Sequence, residues 1–224
     1  MAKKVLVISA HPDDEILGLG GTLKRHSVNG DSVSILIVAN IGTARYDKKT
    51  IKLVEDSTLR CAMHLGIEDV RFSNFDDQML DSIPIINITQ KIETIINDIE
   101  PHIIYTHHYG DINRDHQIIH EATLTAARPY SAPFVEKILC YETPSATEWS
   151  TPSVDKYFNP TLFVDISLFL EDKLKAFSEY NTEIAVCPHP RSLESLRIRA
   201  EYWGSIIGSK AAEPFVLVRQ IIRN

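Results

Sequence analysis

The chain has 224 residues, 44% of them hydrophobic and 24% charged, a balance that fits a soluble globular protein and excludes a disordered or fibrous one. Lys and Arg number 23 against 30 Asp and Glu, a formal charge of -7 with no basic cluster to offset it. Nucleic acid, which is gripped by concentrated Lys and Arg, is thereby excluded as a partner.

The length fits one domain over residues 1–224. Cys61, Cys140 and Cys187 lie far apart and are odd in number, which argues against a disulfide framework and for a reducing compartment. The apolar stretch after Lys4 stops at Ala10, too short for a secretion signal, and no run approaches the ~18 apolar residues of a membrane helix. A cytoplasmic protein with no membrane span is expected, and a homo-oligomer is compatible with this reading.

In chain order, "KVLVISA" reads as a strand, Glu15 to Asn29 as a helix, and "SVSILIVA" as a strand. Lys49 to Gly66 reads as a helix with Gly66 as its C-cap, and "VRFSN" as a strand. Ile85 to Ile99 follows as a helix stopped by Pro101, "HIIYTHH" as a strand, and His116 to Ala127 as a helix stopped by Pro129. "KILCYET" and "TLFVDIS" are strands, Leu170 to Tyr180 and Leu193 to Ile207 helices, and "PFVLVRQII" a late strand. Strands that are continuously apolar belong to a sheet covered on both faces, so the expected fold is α/β: a Rossmann-like, doubly wound, mainly parallel sheet with helices on both sides.

Ligand sites of such sheets lie outside the carboxyl ends of the strands, where the two most polar stretches fall. The first is "HPDDE", His11 to Glu15. Gly18, Gly20 and Gly21 follow it, but Leu23 stands where a Gly-x-Gly-x-x-Gly fingerprint needs its third glycine. These glycines are read as sites of close helix-to-sheet packing, and Glu15 as a cap of, or a charge matched to, the first turn of its helix. Imidazole and carboxylates crowded at one strand end suit a zinc ion with three protein ligands and a fourth position open.

His11, Asp13 and Asp14 are candidate ligands, and "THHYGDINRDHQIIHE" supplies the rest from His107, His108, Asp111, Asp115, His116 and His120. Asp111, Asn113 or Asp115 could also cap the following helix. His116 and His120 share a helical face but lack the Glu of a His-Glu-x-x-His site, so His120 is read as a supporting or surface residue.

The "AHPDDE" motif, followed by "GDxNxDH" at Gly110 to His116, resembles the PIG-L/LmbE family of zinc-dependent N-deacetylases. "FVDIS" (Phe163 to Ser167), "HPRS" (His189 to Ser192) and the "AEPF" stretch ending at Phe215 are similar to the family's later portion. The resemblance implies an LmbE-like fold with His11, Asp14 and His116 as zinc ligands, Asp13 as general base and Asp115 supporting the ligands. It also implies hydrolysis of an N-acetyl group from a free, nucleotide-linked or polymeric amino sugar, releasing acetate. Many relatives carry His-Pro-Asp-His in the second motif, where the first His stabilises the oxyanion or protonates the leaving amine; here the residues are Asn113-Arg114-Asp115-His116. His108 is the expected replacement acid, ahead of His107 and His189. Arg45, Asn113, His189 and Arg191 are expected substrate contacts, with Arg45 and Arg191 also readable as loop arginines. Two other readings share these residues: a metal-dependent hydrolase of other amides or esters, and a sugar-binding relative with impaired turnover.

Overall fold

A computed structural model describes residues 2–41 and 48–223. β1 (Lys4–Ser9), β2 (Ser32–Ile41), β3 (Asp69–Asp76), β4 (Ile103–His107) and β5 (Lys137–Tyr141) run parallel. β7 (Ala212–Gln220) lies antiparallel between β5 and β6 (Leu162–Asp165), and the sheet order is β3-β2-β1-β4-β5-β7-β6. The helices are α1 (Asp14–Val28), α2 (Lys48–Leu65), α3 (Ile85–Ile99), α4 (Arg114–Ala126), α5 (Leu170–Phe177) and α6 (Leu193–Ile207). The expected doubly wound, mainly parallel sheet is therefore the observed one.

Strand alternation divides the core. Val5 and Val7 of β1 face α1, α2, α5 and α6, where Ile16, Leu23, Leu65 and Phe177 pack, while Leu6 and Ile8 face Ile88, Ile92 and Ile96 of α3 and Ile119 of α4. Both faces of β1 are thus fully buried, each such aliphatic side chain contributing about 1.5–3 kcal/mol.

Two helices begin or end more than one residue away from their expected limits. α4 starts at Arg114, not His116, because Asn113 caps it by accepting the Asp115 N–H at 2.9 Å. α5 stops at Phe177, three residues early, and Tyr180 beyond it is buried with its hydroxyl on Glu15.

α1 is kinked at Leu19, whose φ of -146° is not helical. Past the kink, the Gly21 and Thr22 N–H groups donate to the Glu213 carboxylate at 3.0 and 2.7 Å, and the buried Lys173 ammonium bridges Glu213 (2.6 Å) to the Leu17 carbonyl (2.9 Å). A Cβ on Gly18 would come within 2.8 Å of the Glu142 carbonyl, and one on Gly21 within 2.8 Å of Ile166. The glycines serve close packing, as expected.

The chain winds outward from β1 through β2 to β3, then returns to β4 on the other side of β1. The carboxyl ends of β1 and β4 therefore flank the switch point, where an open α/β sheet forms its crevice.

Candidate active site

The loop after β1 carries His11 and Asp13 into this crevice, and the first turn of α1 carries Asp14. Opposite them, the loop after β4 and the first turn of α4 carry Asp111, Asn113, Asp115 and His116. His11 Nδ1, Asp14 Oδ2 and His116 Nε2 form a triangle with edges of 3.4, 3.4 and 3.3 Å. Four tetrahedral donors with zinc bonds of about 2.0–2.1 Å stand about 3.3–3.4 Å apart, so this donor set has the size and chemistry of an open zinc site. Asp14 Oδ1, buried, has no hydrogen-bond partner among the described residues, which also fits a neighbouring cation.

Each histidine of the triangle is backed by a carboxylate on its other nitrogen. His11 Nε2 lies 3.1 Å from Asp115 Oδ2 and 3.1 Å from Asp77 Oδ1; His116 Nδ1 lies 3.0 Å from Asp111 Oδ2. Such partners fix ring orientation and strengthen a ligand's basicity. Asp115 is itself held by the N–H groups of Gln78 and Leu80, and Asp111 by the Thr147 hydroxyl and the Asn113 N–H.

The field at the triangle favours positive charge. Burial opposes protonation of His11, yet the Asp115 and Asp14 carboxylates outweigh it and push the ring up to about 10. Burial opposes His116 too, and Asp14 with Asp111 pushes it up to about 9. Asp14 is raised by burial, but the charges of His116 and His107 overcome this and hold it well below the usual carboxylate range.

Asp13 differs from its neighbour. It is buried, and burial raises its carboxyl well above the ordinary range against the pull of Arg191. Its φ of 99° is in the left-handed region, a strained conformation for a residue with a Cβ. Its N–H donates to Glu15 Oε2 (3.1 Å), and Glu15 Oε1 accepts the Tyr180 hydroxyl at 2.6 Å. Glu15, expected to cap or complement the first turn of its helix, accepts the N–H of Asp13, the residue at the helix N-cap, and so steadies its backbone.

A cleft of about 540 Å³ opens over these groups, lined by His11, Asp13, Asn113, His116, His189 and Arg191, with Ile51 and Val54 of α2 on its apolar wall. His107 and His108 are not among its lining residues. His107 stacks on His116 at 3.9 Å between ring centroids, but its Nε2 accepts the Ala10 N–H at 2.8 Å, and burial with the charge on His116 brings it down to about 4. His108, the expected acid, points the other way: its Nε2 donates to the Lys156 carbonyl at 3.0 Å and its ring meets Phe158. His120 donates to the His107 carbonyl and is not part of the triangle. Arg191 spends its guanidinium on Asp13, Glu183 and Ser145, and Arg45 lies outside the described residues. Asp77, Tyr180 and Glu183 were not singled out from sequence; each reaches the site from a distant element.

Fold, site and the relatives that follow together place the chain among hydrolases of the N-deacetylase class, doubly wound and built around a histidine–aspartate centre at the switch point. The chain belongs to the PIG-L family, described as GlcNAc-PI de-N-acetylase, whose model matches residues 6–127. It is 30% identical over 173 residues to the uncharacterized deacetylase YaiS of Escherichia coli, covering 71% of this chain and 87% of that protein. It is 27% identical over 226 residues to the diacetylchitobiose deacetylase of Thermococcus kodakarensis, covering 94% and 81%. The crystal structure of a conserved protein from Thermus thermophilus superposes with a TM-score of 0.80 at 26% identity, covering 99% of this chain and 97% of that one. No helix of the described residues is long and apolar enough to cross a membrane.

Proposed function

We propose that this chain is a cytoplasmic, zinc-dependent deacetylase that removes the N-acetyl group from an amino sugar or short glycan, releasing acetate and a free amine. The observation that carries the reading is the His11, Asp14 and His116 triangle, with His11, His116 and the neighbouring Asp13 lining one cleft. Zinc bound there supplies Lewis-acid polarisation of the amide carbonyl and lowers the pKa of water toward ~7.

The protein's own groups do the rest. Asp13, with Oδ2 engaged by Arg191, accepts the proton of the attacking water on Oδ1. Asn113 commits its Oδ1 to the α4 cap, which leaves its amide N–H groups to donate; His189 accepts the Arg191 N–H on Nδ1 at 3.1 Å, which places its ring proton on Nε2. Both present N–H donors suited to the developing oxyanion and to sugar hydroxyls. Asp13 then returns its proton to the amine nitrogen as the C–N bond breaks, so neither His107 nor His108 is needed as acid. Arg45, which falls between β2 and α2 in the chain, is proposed as a substrate contact.

The test is acetate release from N-acetylglucosamine and N,N'-diacetylchitobiose by protein stripped of metal and reloaded with zinc. Release that needs zinc supports the reading; zinc binding with no acetate from any N-acetyl sugar refutes it.

A further inference from the structure

The sequence leaves Arg191 between a substrate contact and a loop support, and its surroundings indicate a third role. One guanidinium nitrogen, Nη1, lies 3.0 Å from Asp13 Oδ2 and 3.2 Å from Glu183 Oε2, while Nε donates to Ser145 Oγ at 2.8 Å. Three connections therefore converge on one planar group: the loop after β1, the loop after β5 and the segment between α5 and α6.

The arginine is itself well anchored. Its N–H donates to His189, its carbonyl accepts the Ala185 N–H at 3.3 Å, and the next residue, Ser192, caps α6 by accepting the Ser195 N–H at 3.0 Å. Asp13 needs such a hold, because its left-handed backbone gives the carboxylate no support from regular structure. Glu15 fixes the Asp13 N–H, and Asp13 Oδ2, buried with no hydrogen-bond partner among the described residues, is faced by the Arg191 guanidinium as an ion pair.

We infer that Arg191 is a positioning residue for the general base: it holds Asp13 Oδ2 so that Oδ1 faces the water to be deprotonated. The effect is on orientation, where a displacement of about 1 Å costs on the order of 10²-fold in rate. Lys cannot replace it, since a single ammonium lacks the rigid fork that reaches three partners at once.

The inference rests on the deacetylase reading, and its test separates the two. With N-acetylglucosamine as substrate, Arg191→Ala should lower kcat by about 10²-fold with KM within about twofold and zinc content unchanged. Millimolar guanidinium should restore part of that rate. In an Asp13→Asn background, Arg191→Ala should have little further effect, because the two act through one proton transfer. A raised KM with unchanged kcat would make Arg191 a substrate contact and overturn the inference, as would full additivity with Asp13→Asn. If Arg191→Ala misfolds by circular dichroism, Arg191→Gln carries the same comparisons. Wild-type protein that releases no acetate removes the deacetylase reading and this inference together, whereas an active wild type matched by Arg191→Ala removes only the inference.

Discussion

Asp13 and Asp14 are adjacent and chemically identical, and their surroundings set them to different tasks. Burial dominates Asp13 and raises it, whereas the imidazoles of His116 and His107 overcome burial at Asp14 and lower it. Carboxylates driven apart in this way mark separate roles. Asp13→Asn should keep zinc, measured by metal analysis, while kcat falls about 10²-fold or more; Asp14→Asn should lose the metal itself. Near-normal turnover in Asp13→Asn would move the base elsewhere.

The histidines give a pH signature. His11 and His116 are raised to about 10 and about 9 above an ordinary value near ~6.5, so the stability they contribute is fully present below ~6.5 and is lost as pH rises through about 9 and about 10. The lowered Asp14 has finished titrating below this window. Metal-free protein should therefore show a Tm that falls between about pH 6.5 and about pH 10 in calorimetry. With zinc the fall should shrink or reverse, because metal binding needs the deprotonated rings. A metal-free Tm that rises across this range would contradict the charge pattern described.

These residues differ in how readable they were. His11, Asp14 and His116 stand in two motifs at strand ends, and topology alone brings them together. Strand alternation sends neighbours such as His107 and His108 to opposite faces, but both faces of β4 are covered, so sequence gives no sign of which face holds the site. Asp111 could be seen only as one of several polar residues until its Oδ2 was found on His116.

At the scale of elements, α1 shows how a helix that begins with catalytic residues is fixed to the sheet. Its second half starts afresh beyond Leu19, and Glu213 takes the N–H groups that the kink leaves without helical acceptors. Removing one partner of this buried pair strands the other charge, so Glu213→Ala should cost about 3–5 kcal/mol, read as a lowered urea midpoint with the slope unchanged. A loss under about 1 kcal/mol would mean that water replaces the carboxylate. The close-packing role of Gly18 and Gly21 was legible from their place after the first strand. The kink was not, because the residue that stabilises it lies 192 positions from Gly21. Helix ends marked by proline, such as that of Ile85 to Ile99 before Pro101, were read to the residue; Tyr180 was assigned to α5 because its burial against Glu15 has no periodic signal.

At the scale of the molecule, the switch between β1 and β4 explains why motifs about 100 residues apart make one site, and why the apolar pattern was enough to place it. The position of β7 has a different consequence, one of timing. β6 pairs with β7 alone among the described residues, β5 has its outer edge covered by β7, and Glu213 at the start of β7 completes α1. Every residue of the proposed centre precedes this strand in the chain, yet the sheet around that centre cannot close until residues 212–220 have been made. During synthesis, the parallel half can assemble first while β5 keeps an unpaired edge and β6 has no neighbour, an exposed state of the kind that chaperones and proteases act on. Chains arrested before residue 211 should accordingly be cut by protease between β5 and α6 under conditions in which the longer chain that includes β7 resists, and the deacetylase centre should mature only after residues 212–220 have been made.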